Sequence, residues 1–363
     1  MERINTYEKW LEQEGIPVVR DYSVPDLMAV PLKPWARKGG LGAFINLIGP
    51  QGASDAYLCE IPPGKDLLPQ RHVFDELIYI LSGYGATTVW VEGGAKQTFE
   101  WQEGSLFSPP LNTWHQHFNG QSDKPVRYFA VTMAPVFMNL FHDLDFIFNN
   151  DFVFKNRYQG EEGYFTSRGR DIEPGGIIYN PKIWESNFIP DCRTFPLAED
   201  PARGGNQTNI RFDLSNGLIG SHISELPGGT YMKAHYHNPG TYLLCLSGLG
   251  YELMWPQDKG PMAEGTERLK LDWKQHSVFA PVNMWYHQHF STSKEPTRLL
   301  ALEPDRSSKF RGIVKEFGAR TSIKEGGNQI EFEDEDPAIR KQFKEEIAKT
   351  GATWRMAQFF PGE

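Results

Sequence analysis

His115-Gln116-His117-Phe118 returns as His287-Gln288-His289-Phe290, 172 residues further along the chain. Reading outward at the same offset, Trp101, Ser105, Phe107 and Pro109 fall on Trp273, Ser277, Phe279 and Pro281. Earlier in the chain the offset becomes 165 and holds without a gap across 39–85 and 204–250. There Gly39, Ile45, Gly52, Glu60, Pro62, Gly64 and His72 meet Gly204, Ile210, Gly217, Glu225, Pro227, Gly229 and His237. Leu81-Ser82-Gly83 meets Leu246-Ser247-Gly248, and Gly85 meets Gly250. The seven additional residues of the second copy belong to a loop, and the stretch 257–268, rich in glycine and charge, fits it. A repeat of this length seen twice means two copies of one domain, not a solenoid.

The matched segments read as strands. Residues 77–81 and 86–91 are rich in β-branched and aromatic side chains, and Gly and Pro punctuate the copies every 8–12 residues or so. That spacing points to a sandwich or barrel. Helical signals lie at the edges: a short amphipathic helix over 6–14, another over 135–146, and Asp336-Pro337 as N-cap and first turn of a helix over 338–349. The expected organisation is an N-terminal helix and arm (1–38), a first barrel (39–148), a connector (149–203), a second barrel (204–305) and a helical extension (306–363). Within the connector, 158–176 reads as the most exposed loop.

Seven of the ten histidines fall in four short segments: His72; His115 and His117; His235 and His237; His287 and His289. Side chains two apart on a strand share a face. His235 and His237 therefore project together, as do His115 with His117 and His287 with His289. Several imidazoles converging inside a barrel are most economically a metal site.

The spacing resembles that of the cupin superfamily in its two-domain form. The family's first motif, G-x5-H-x-H-x3-E-x6-G, reads Gly64, Gln70, His72, Glu76, Gly83 in copy one and Gly229, His235, His237, Thr241, Gly248 in copy two. Its second motif reads Gly104, Pro110, Asn112, His115, Asn119 in copy one. Copy two is looser there, with His276, Val282 and Met284 at the first Gly, the Pro and the second Gly, but it keeps His287. The resemblance implies an all-β fold of tandem double-stranded β-helix (jelly-roll) barrels with a few peripheral helices. It also implies His235, His237 and His287 as the primary metal ligands, and His72, Glu76 and His115, with Gln70 beside them, as a second set.

Each copy departs from the family's four ligands by one. Two His and one carboxylate make the facial set of non-haem iron oxygenases. Three neutral His leave the metal's charge uncompensated, which favours an anionic substrate. A three-His iron is similar to the centre of gentisate-type ring-cleaving dioxygenases. The expected function is thus an Fe2+ dioxygenase taking O2 and a small anionic, by resemblance aromatic, substrate at the three-His site of the second barrel. The rivals are a non-redox lyase, decarboxylase or isomerase using Mn2+, Zn2+ or Ni2+, and a non-catalytic ligand-binding barrel. His289 is the expected catalytic proton carrier, with Arg211, Tyr286 and Thr241 as substrate contacts. Against these stand plainer readings: Arg211 in a surface ion pair, Tyr286 and Trp255 in the barrel core, and Cys245 as a small core residue.

Composition excludes other classes. A net charge of −9 lacks the basic footprint of a nucleic-acid binder. No run of 18 apolar residues exists to cross a membrane as a helix. The first residues carry no apolar signal core, and three distant cysteines make neither a disulfide framework nor a zinc motif. A cytoplasmic protein is expected, and the resemblance adds a homo-oligomer. The acidic run 331–336 reads as a solvated stretch before a helix, without the glycine and spacing of a calcium loop.

Overall fold

A computed structural model describes residues 4–172, 182–304 and 320–361. The chain forms two β-barrels, each a large sheet facing a small one. In the first barrel an eight-stranded sheet contains Gly40–Ile45, Asp55–Ile61, Val126–Thr132 and Glu76–Ser82 in that spatial order. It faces a three-stranded sheet of Trp114–Asn119, Tyr84–Trp90 and Gln97–Gln102. In the second barrel a nine-stranded sheet contains Thr208–Leu214, Ile219–Leu226, Thr297–Pro304 and Tyr242–Ser247. Its partner is a four-stranded sheet of Thr230–Tyr231, Trp285–Ser291, Leu249–Pro256 and Leu269–Lys274. The all-β, tandem-barrel expectation is met.

Burial on two faces explains the apolar runs. Along Glu76–Ser82, Ile78 and Ile80 point into the first barrel, while Leu77, Tyr79 and Leu81 point the other way. The second set meets Phe212, Tyr242, Leu244 and Leu300 of the second barrel in one shared core. The large sheets thus pack back to back, with the Tyr242 hydroxyl donating to the Ile45 carbonyl at 3.0 Å. Strand Trp114–Asn119 is buried only at every second residue, because its outer face is not covered in this way.

The repeated glycines have a steric cause. Gly83 and Gly248, at φ 86° and 83°, turn the chain from the large sheet to the small one within a single residue. A Cβ on Gly85 or Gly250 would lie 2.5 or 2.4 Å from the Trp101 or Trp273 ring.

The repeat reaches further back than the sequence reading placed it. Ser23–Val24 pairs with Val278–Phe279 of the second barrel, and Phe188–Ile189 pairs with Leu106–Phe107 of the first. Residues 23 and 188 are again 165 apart, so each barrel lends an edge strand to the other. Arg127 holds the arm through the carbonyls of Leu27 and Met28, and Arg298 holds the connector through those of Cys192 and Phe195.

Helix α1 (Thr6–Glu14) is capped by Asn5, whose side chain accepts from the Glu8 amide. The helix expected over 135–146 is two, α2 (Ala134–Phe141) and α3 (Leu144–Asn149). His142 breaks it in the left-handed conformation at φ 54°, its Nδ1 hydrogen-bonded to the Thr6 hydroxyl at 2.7 Å. Helix α4 (Pro337–Thr350) starts on Asp336, which accepts from the Ala338 amide. Its Ile339, Phe343 and Ile347 cover the outside of the four-stranded sheet, against Tyr231, Tyr251 and Phe290. The proposed boundary at 305–306, and the part of the expected loop over 173–176, lie outside the described residues. Among the described residues no helix is long and apolar enough to cross a membrane.

Candidate metal centres

In the first barrel, strand alternation turns His115, His117 and Asn119 inward. Gln70 pairs with His115 through the backbone, which brings His72, two residues on, to the same mouth. Glu76 opens the next strand. His72, Glu76 and His115 are all buried, and their donor atoms lie within 4.8 Å of one another. Glu76 Oε2 is 3.5 Å from His72 Nε2 and 3.6 Å from His115 Nε2.

The tautomers follow from the backbone. His72 Nδ1 meets the Phe74 carbonyl at 2.8 Å, and His115 Nδ1 meets the Thr113 carbonyl at 3.2 Å. A carbonyl only accepts, so both Nδ1 atoms carry the hydrogen and both Nε2 atoms present a lone pair. These two Nε2 atoms and Glu76 Oε2 are buried with no hydrogen-bond partner among the described residues. Polar atoms so placed are costly unless something binds them. Two soft-to-borderline nitrogens and one hard oxygen fit a divalent transition metal.

Residues that sequence reading did not single out complete this site. The Tyr57 hydroxyl donates to the other Glu76 oxygen. Lys38, buried, donates to Tyr57 at 2.8 Å, with its Nζ 3.9 Å from Glu76. Burial alone would raise the Glu76 pKa, but Lys38 and the His72 imidazole outweigh it and hold the carboxyl well below its ordinary value. Burial holds His115 below the ordinary imidazole value. Asp55, bonded to Tyr7 and Thr132, lines the same small cavity and is pushed up to about 7 by burial. That cavity measures about 20 Å³, enough for one small species at the scale of a water. Gln70 forms part of its wall, but its amide nitrogen donates to the Arg37 carbonyl at 2.8 Å. Gln70, Arg37 and Phe148 also border an open cleft of about 440 Å³ that includes Arg71 and Trp114.

In the second barrel the buried donor atoms within 4.8 Å of one another are those of His235, His287 and His289. His235 and His287 pair through their backbones, as Gln70 and His115 do. Their Nδ1 atoms face the Lys233 and Trp285 carbonyls at 3.1 and 3.2 Å, which leaves Nε2 for a ligand here too. His237 is half-buried beside them, its ring centre 4.5 Å from that of His287, and its Nδ1 donates to the Asn238 carbonyl at 2.8 Å. It does not belong to the compact group of three. Burial pushes His289 down to about 3.

The expected substrate contacts of this barrel have other partners. Arg211 is buried and donates to Glu303 at 3.0 Å, so it forms neither a free anion clamp nor a surface pair. The Thr241 hydroxyl donates to the same carboxylate at 3.1 Å, and His222 meets it at 3.1 Å. Tyr286 alternates with His287 and therefore lies on the outer face, packed with Trp255, Tyr236 and the residues of α4. Cys245 is packed with Leu243, Leu299 and Ala301. Glu252 and Glu303 escaped sequence reading. For Glu252 the signal was present: at the offset of 165 it stands where the first copy has Thr87.

A family model described as the Cupin domain matches residues 57–132, the heart of the first barrel and its cluster. Residues 57–132 thus match the Cupin domain, and the second barrel repeats that architecture. The chain is also similar to oxalate decarboxylase from Bacillus subtilis, at 15% identity over 79% of this chain and 77% of that one, with a TM-score of 0.49. Vicilin from Corylus avellana (hazelnut) is 11% identical over 78% of this chain and 86% of its own, with a TM-score of 0.49. Among curated proteins none matches the sequence.

Proposed function

We propose that this chain is a metal-dependent enzyme acting on a small anionic compound, with its reaction site in the first barrel. The observation that carries the reading is the set of three buried, unpartnered donor atoms of His72, Glu76 and His115. A divalent metal held there would polarise the substrate as a Lewis acid and, if redox-active, pass electrons to O2. The chain's own residues do the rest. Tyr57 fixes the Glu76 carboxylate so that one oxygen faces the imidazoles. Lys38 adds positive charge beside the cavity, which favours an anion there, and its bond to Tyr57 orients that hydroxyl. The second barrel would hold a metal through His235, His287 and a third imidazole.

The two-His, one-carboxylate set favours an Fe2+ dioxygenase. A second reading, a non-redox lyase or decarboxylase with Mn2+, Zn2+ or Ni2+, is favoured by the Lys38–Tyr57 pair, which places an exchangeable proton next to the site. The test is metal content by mass spectrometry on wild type and His72→Ala, followed by turnover of a panel of small carboxylic acids with O2 uptake and CO2 release recorded together. Iron and O2 uptake, both reduced in His72→Ala, are expected for the first reading. Turnover without O2 uptake selects the second. A wild-type chain that neither holds nor takes up a metal overturns both.

A further inference from the structure

We propose that the second metal centre is held by His235, His287 and His289, and that Glu252 is the positioning residue that makes His289 its third ligand. This rests on the metal-enzyme reading above.

Glu252 lies in the middle of strand Leu249–Pro256, directly across the sheet from His289. It is fully buried, and neither carboxylate oxygen has a hydrogen-bond partner among the described residues. His289 Nδ1 stands 3.8 Å from Glu252 Oε1 and is itself unpartnered. A buried carboxyl group whose two oxygens both lack hydrogen-bond partners is costly, and packing alone does not repay it.

The first barrel supplies the control. Thr87 occupies the corresponding position across from His117. Its hydroxyl bonds His117 Nδ1 at 2.7 Å and accepts from Trp101 at 2.8 Å, which closes a neutral network. In the second barrel Glu252 replaces Thr87, and the matching Trp273 nitrogen has no partner among the described residues.

What differs between the barrels is the metal cluster. The first has a carboxylate among its ligands, Glu76. The second has Thr241 at that position, hydrogen-bonded to Glu303. Glu252 instead puts a carboxyl group beside the second centre, facing His289. A carboxylate facing Nδ1 keeps the ring hydrogen on that nitrogen and leaves the Nε2 lone pair for an ion, as carboxylate–histidine–metal arrangements do. His237, half-buried and bonded to the Asn238 carbonyl, stays at the rim.

The experiment uses the full-length chain with His72→Ala, which removes a first-barrel ligand. Co2+ is titrated in, followed by calorimetry and by the visible absorption of the bound ion, with circular dichroism as the folding control. His289→Ala is expected to abolish binding and His237→Ala to keep it. Glu252→Gln, of the same shape, and Glu252→Thr, the first-barrel pairing, should each weaken Co2+ by about 10–100-fold and shift its absorption bands. Loss in His237→Ala with retention in His289→Ala overturns the ligand assignment. Wild-type affinity and spectrum in both Glu252 variants overturn the positioning role. A His72→Ala parent that binds no Co2+, while the unmutated chain binds one, overturns this inference and leaves the first-barrel reading standing.

Discussion

Tyr57 holds one oxygen of Glu76 and so leaves the other facing His72 and His115. Tyr57→Phe keeps the ring and removes the hold. Metal affinity of the first cluster should fall about 10–100-fold, read by calorimetric titration in a His235→Ala background. His117 gives a second residue-scale expectation. Burial pushes its imidazole down to about 3, from the ordinary 6.5 that the unfolded chain would keep. Between these values the unfolded state binds more protons, so stability rises with pH across that window. Metal-free His117→Gln should therefore lose less stability than wild type as the pH falls from 6.5 to 3, measured by urea unfolding. The histidines were legible in the sequence because strand parity and the repeat act locally. Lys38 and Tyr57 were not, because their approach to Glu76 depends on how separate strands stack. Tyr286, expected as a substrate contact, alternates with His287 and packs in the outer cluster with Trp255.

Among the elements, α4 carries an apolar contact outside the barrels through Ile339, Phe343 and Ile347. Phe343 is fully buried, with its ring 4.9 Å from Tyr231. Phe343→Ala should cost about 3–5 kcal/mol, and Asp336→Ala, which removes the cap, about 1 kcal/mol, both by denaturant unfolding. The ends of α1 and α4 were readable because caps are short-range chemistry: Asn5 and Asp336 each bond an amide two or three residues on. The break between α2 and α3 was not, since His142 is held by Thr6, 136 residues away. The seven-residue insertion after Leu249–Pro256 was legible from the change of offset alone.

On the scale of the whole molecule, the shared core and the exchanged edge strands join the barrels into one unit. Deleting residues 1–30 removes Ser23–Val24 from the second barrel and α1 from the first. Calorimetry of that variant should show both barrels destabilised, although the deleted residues precede only one of them. Two-copy architecture was readable from the repeat, yet the exchange was not, because two-residue strands leave no pattern to detect. That exchange also bears on synthesis. Val24 leaves the ribosome 254 residues before its partner Val278. At roughly 5–20 residues per second, the arm waits about 13–50 s with its strand edge unpaired. Until the second half has been made, the first half therefore presents an open strand edge, the kind of surface that invites wrong association.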